Sequence, residues 1–126
     1  MKPSALQRVE QGDAPADLSS PIDHAHLARY TFGNRALEIE VLKLFAEQAP
    51  TYLEQLGSAK TEKAWRDAAH TLKGSARAVG AFAVALASER AEALKASTDV
   101  ELRRRAVAEV ADALTEVCGY IGRLEV

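Results

Sequence analysis

A single cysteine leaves this chain without the means for an internal disulfide, and the place of Cys118 in an apolar helical stripe marks it as a reduced core residue. No apolar run approaches the length of a membrane span, and the N-terminus lacks the short hydrophobic core of a secretion signal. The expected compartment is therefore the cytoplasm, with no membrane partner. Internal repeats, low-complexity tracts and strand-like alternation are all missing. So are the clustered ligands of a metal centre. His24 and His26 stand two apart, roughly 200° on a helical wheel, and point to different sides rather than gripping one ion. Paired carboxylates or His/Glu ligands at i, i+3 on core faces, which a metal-dependent bundle enzyme needs, are not found. The formal net charge of −2 gives no reason to expect nucleic acid, and Arg103, Arg104 and Arg105, being consecutive, fan around a helix as a solvated face.

What remains is a 126-residue chain with 48% hydrophobic and 27% charged residues, enough for one packed core. Residues 1–20 read as a flexible leader that admits a turn of helix near Ala5 to Glu10, and residues 21–126 as the domain. Ser20-Pro21 offers a cap and a first-turn proline, so a short helix is expected from Pro21 to about Tyr30. Phe32-Gly33-Asn34 forms a turn. Asn34 then caps a long helix to about Leu56, whose core face combines Leu37, Val41, Phe45, Tyr52 and Leu56 with Leu42, Ala49 and Leu53. The apolar period resumes in phase after Pro50, which predicts a kink and not an end. Gly57-Ser58 closes this helix; Ser58 or Thr61 caps the next, which runs to Gly80. An alanine-rich helix over Ala81 to Ala96 takes Phe82, Leu86 and Leu94 as anchors, with Glu89, Arg90, Glu92 and Lys95 facing out. Ser97-Thr98-Asp99 caps the last helix, whose stripe of Val107, Val110, Leu114, Val117, Ile121 and Leu124 suits an antiparallel bundle seam better than a dimer interface. The fold class is all-α: an up-and-down four-helix bundle with a short additional N-terminal helix, expected to be a monomer.

One stretch, Lys60 to Gly80, carries usable chemistry. On a wheel of roughly 100° per residue, Ala64, Trp65, Ala68, Leu72, Ser75, Ala76 and Val79 lie opposite His70 and bury well. His70 therefore faces water. Within roughly 60° of it stand Lys63, Arg66, Asp67, Lys73, Gly74 and Arg77. This is a place for an anion, and the surrounding cations are expected to keep the imidazole neutral and nucleophilic, with no base beside it. Gly74 costs about 1 kcal/mol in mid-helix relative to alanine, and no core packing asks for it. Its use would be to clear a path to the ring. Lys73, at i+3, can lie beside a phosphate-like group on His70.

The string Ala69-His70-Thr71-Leu72-Lys73-Gly74-Ser75, followed by Val79-Gly80-Ala81, resembles the signature of histidine-containing phosphotransfer (HPt) domains, the histidine carriers of multistep two-component phosphorelays. The wider likeness runs from about Ile22 to Leu94, through Ile22-Asp23, Phe32-Gly33-Asn34 and Phe45; Ala78 replaces a larger or amide side chain, and the leader is unusually long. The resemblance implies that His70 is phosphorylated, that Lys73 contacts the phosphoryl group and that Gly74 gives a receiver domain room to dock. Lys63, Arg66, Asp67, Ser75, Arg77 and Gly80 would support the site or its docking face. Partners would be receiver domains of a hybrid histidine kinase and of response regulators. No cofactor of its own is implied; the divalent metal, a magnesium ion, would belong to the receiver. No glycine-rich ATP loop is present, so the chain is expected to carry phosphate without kinase activity. Beginning with methionine and lacking a catalytic companion, it reads as a free-standing shuttle, with an excised piece of a hybrid kinase as the alternative. A binding protein that docks on a kinase or receiver without carrying phosphate is the competing reading.

Overall fold

A computed structural model of the protein describes residues 20–95 and 99–124. The leader, and the capping positions Ser97 and Thr98, lie outside the described residues. Among the described residues five helices run in order: α1 (His24–Thr31), α2 (Arg35–Gly57), α3 (Glu62–Val79), α4 (Phe82–Ala93) and α5 (Val100–Leu124). Among the described residues there is no strand, and no helix is long and apolar enough to cross a membrane. Helices α2 to α5 pack each against the next, and α5 returns to α2, closing an up-and-down bundle; α1 touches α2 and α3.

Local chemistry sets the helix ends. The Asn34 side chain accepts from the backbone N–H of Leu37, and the Thr61 hydroxyl accepts from that of Ala64. Asp99 Oδ1 accepts from the N–H groups of Glu101 and Leu102 at the head of α5. Gly80 ends α3 in the left-handed region at φ 82°, where a side chain would be strained. Helix α2 continues through Pro50, as the in-phase apolar period required.

The first helix departs from expectation. It starts at His24, capped by Asp23, whose carboxylate accepts from the N–H of His26; Ser20 instead donates its hydroxyl to the Ile22 carbonyl. A tertiary contact decides the matter. The Asp23 N–H donates to the Gly80 carbonyl at 2.9 Å, which fixes the chain entry one turn later than Ser20-Pro21 suggested. Ile22 and Leu27 are thereby buried, and His24 meets the Tyr120 hydroxyl of α5. The helix ends at Phe32, which takes the left-handed conformation at φ 55° while almost fully exposed.

The core is built largely from small and branched side chains. Leu42, Phe45, Ala49 and Leu56 of α2 meet Trp65, Ala68, Ala69, Leu72, Ala76 and Val79 of α3, and Val110, Leu114, Val117 and Ile121 of α5. Two details of the expected faces are corrected. Leu37 is exposed, and the first turn of α2 instead buries Glu38, whose Oε2 accepts the Thr31 hydroxyl at 2.9 Å. In α4, Phe82 (42% exposed) and Leu86 (48%) lie on the outer side, while Val84, Ala85, Ala87, Ser88 and Ala91 face the interior. An interior filled by alanines lets α4 lie close to its neighbours and leaves no room for the larger residues. Cys118 is half-buried against the core, and burial pushes its thiol up, away from a reactive thiolate.

Candidate phosphoryl-acceptor site

Trp65 sets the register between α3 and α4. Its buried indole N–H donates to the Ala91 carbonyl at 2.8 Å, so the residue after Ala91 is held against the turn of α3 that carries His70. That residue is Glu92. Its Oε2 lies 3.0 Å from His70 Nδ1 and its Oε1 2.6 Å from Lys73 Nζ, so one carboxylate bridges the histidine and the lysine.

The His70 side chain remains 69% exposed, whereas those of Lys73 and Glu92 are only 17% and 21% exposed. The Lys73 ammonium above all, with the His70 contact adding to it against some desolvation, holds the Glu92 carboxyl below its ordinary value. An ionised carboxylate is an acceptor only. His70 Nδ1 must therefore carry the hydrogen of that contact, which leaves the Nε2 lone pair as the free end of the ring. A carboxylate holding one imidazole nitrogen fixes both tautomer and orientation for chemistry at the other.

Other members of the expected group fall as follows. Lys63 donates to Asp67 at 2.6 Å, and chiefly that contact lowers the Asp67 carboxyl from its ordinary value. Arg77 pairs with Glu89 of α4 at 3.5 Å. Arg66 is exposed. Gly74 is exposed, and a methyl group built on it would find no atom within 4 Å. Ser75 is half-buried, and Gly80 is buried at the far end of α3, serving the turn and not the ring. Opposite His70, Ala64 is exposed and Ala69 takes its place in the core.

This corrects the picture of an imidazole among four cations and the single carboxylate of Asp67, with no base beside it. Lys63, Lys73 and Arg77 face Asp67, Glu92 and Glu89 respectively, and Glu92, shared with Lys73, also touches the ring itself. Glu92 was expected to face out because a wheel of α4 alone places it on the polar side. It sits instead on the flank that leans over α3. One signal for it was available: in a helical hairpin turning at Gly80, Glu92 lies about as far past the turn as His70 lies before it.

Among the described residues no group of three or more His, Cys, Asp or Glu side chains is arranged to hold a metal ion. His24 and His26 go separate ways, the first to Tyr120 and the second between Tyr30 and Phe82. Arg103 is half-buried, while Arg104 and Arg105 both pair with Glu101, so the three arginines present no continuous basic face.

A helical bundle presenting one oriented, solvent-facing imidazole next to a gap in its own surface defines a class of protein built to pass a group to and from a docked partner. The family model for the Hpt domain matches residues 40–120, more than half of the chain, and the chain belongs to that family. Hpt domains carry out histidine phosphotransfer in phosphorelays, as phosphoryl carriers and not kinases, and they interact with receiver domains. Comparisons with curated proteins and with solved structures return no significant match.

Proposed function

We propose that this protein carries a phosphoryl group on His70 Nε2 between the aspartate-bearing receiver domains of a hybrid sensor kinase and a response regulator. The observation that supports this most is the pairing of an exposed ring, held at Nδ1 by Glu92, with the open space above Gly74. In the forward step the Nε2 lone pair attacks the phosphorus of an aspartyl phosphate. The Nε2–P bond forms as the bond from phosphorus to the aspartate oxygen breaks, and the electron pair leaves with that carboxylate. The ring becomes positive as the bond forms, and its Nδ1–H faces the Glu92 carboxylate, which stabilises that charge at no cost in reorganisation. Return transfer runs the same steps backward. The magnesium ion that the chemistry calls for belongs in this reading to the receiver, as does its aspartate.

Incubation with a phosphorylated receiver tests the proposal. Label on the protein that is acid-labile, alkali-stable and absent from His70→Gln is the expected result. Binding of the receiver with no label at any time would replace the carrier by a docking regulator.

A further inference from the structure

The cations around His70 are not equivalent. Lys63 is committed to Asp67, Lys73 to Glu92 and Arg77 to Glu89. Arg66, exposed and one turn before His70, has no hydrogen bond or ion pair among the described residues and acts on Asp67 only at longer range. Lys73 is nearly buried and lies with Glu92 on the Nδ1 side of the ring. Nε2 is at the other end. Side chains on a helix lean toward its N-terminus, so the ring of residue 70 lies over the turn that Arg66 occupies, and pairs at i, i+4 are neighbours.

We infer that Arg66 contacts the phosphoryl group on His70 Nε2. This rests on the reading of His70 as a phosphoryl carrier. A phosphoryl group on nitrogen brings about two negative charges to a surface whose other cations are already matched by acids. To answer it, Lys73 has to leave a bridging carboxylate, and Lys63 a 2.6 Å contact with Asp67. Arg66 has nothing to give up. Its planar guanidinium also grips two oxygens at once, which an ammonium does not.

The test uses wild type, Arg66→Gln, Arg66→Lys and Lys63→Gln, each equilibrated with a saturating phosphorylated receiver, and measures two things: the phosphorylated fraction of the carrier and its affinity for the unphosphorylated receiver. Arg66→Gln is expected to lower the transfer equilibrium constant about tenfold, the size of one lost charge-assisted hydrogen bond, with affinity for the unphosphorylated receiver within about twofold. Arg66→Lys recovers part of the loss, and Lys63→Gln stays within about twofold of wild type. An unchanged constant in Arg66→Gln overturns the inference. So does an equal loss in Lys63→Gln, which would reduce the effect to general attraction, or a loss confined to receiver affinity, which would make Arg66 a docking residue. Wild type that takes no label at all would instead overturn the carrier reading, so the two failures are distinct.

Discussion

Replacing Gly74 by alanine should make this protein more stable and a larger side chain there should make it a poorer phosphoryl carrier, and the two effects together separate what the fold wants from what a partner wants. Gly74 lies in the interior of the 18-residue α3 with ordinary helical backbone; only Gly33 and Gly80 among the glycines described have positive φ. The methyl group of Gly74→Ala meets no atom within 4 Å, so no steric cost offsets the gain in helix propensity, about 0.8–1 kcal/mol. For a domain of this size, a change of about 1 kcal/mol corresponds to a rise of roughly 3–6 °C in Tm. Gly74→Gln should keep most of that gain, because glutamine is nearly as good a helix former as the other straight-chain residues. Its side chain, however, projects beside the exposed His70 ring. Forcing a side chain into a packed contact costs about 1–3 kcal/mol, so transfer from a phosphorylated receiver should fall by roughly five- to 150-fold. Thermal denaturation followed by circular dichroism and label-transfer kinetics on the same preparations read the two quantities. A lower Tm in Gly74→Ala would refute the open-space argument. Unimpaired transfer in a stabilised Gly74→Gln would refute the claim that the gap serves a partner.

Glu92→Gln removes the charge that faces His70 Nδ1 but keeps the shape, and should slow transfer about tenfold, since charge-assisted hydrogen bonds are roughly twice as strong as neutral ones. The same variant has a pH signature. Because the Glu92 carboxyl is lowered in the folded protein, its contribution is present above the ordinary glutamate value of about 4.3 and is lost as pH falls through the lower folded value. The stability difference between wild type and Glu92→Gln, of about 1 kcal/mol or less, should thus shrink as pH falls from about 5 to below about 4 in urea titrations. A difference that grows over that range would contradict the assignment. Gly80→Ala should destabilise by about 2–4 kcal/mol, because φ is 82° and the new methyl would lie 2.8 Å from the Asp23 backbone oxygen; equal urea midpoints would show the α1 entry to be loose. Phe32→Gly relieves a left-handed residue worth about 1–2 kcal/mol but adds about 0.5–1 kcal/mol of backbone entropy loss, so a small net stabilisation is expected by the same measurement.

Over the described residues, the number and order of the helices were legible because their signals are local. Asn34, Thr61 and Gly80 each act within one turn of the chain, and the stripes of α3 and α5 repeat often enough to define an inward side. His70 on the outer side followed from the same period. What escaped was set between helices. The start of α1 depends on the Asp23 to Gly80 bond, which no window around Ser20-Pro21 contains. In α4 the wheel has no dominant apolar side, since alanines fall all around it. Size was then a misleading guide, and Phe82 and Leu86 were placed inside when the narrow interior admits only smaller groups. Glu92 was missed for a related reason. Its partner is 22 positions away, and the rotation of α4 that brings them together follows from the Trp65 contact to the Ala91 carbonyl.

That rotation also makes the two flanks of α3 unlike one another. Toward α4, Lys73 and Arg77 are tied to Glu92 and Glu89, so a partner arriving from that side would have to break ion pairs before touching the ring. Toward α2, the flank carries Ala64, Thr71 and Asp67, the last paired with Lys63, and a shallow cleft of about 360 Å³ opens between α3 and the segment from Gln55 to Lys60. Small side chains lose little entropy when covered, and they let another backbone come close. Glu92 grips the ring from the guarded side, and the nucleophilic nitrogen is the end that the grip leaves free. On the carrier reading proposed above, the ion pairs to Glu92 and Glu89 hold the α4 side of His70, and a partner would meet the ring from the side of Thr71 and Gly74.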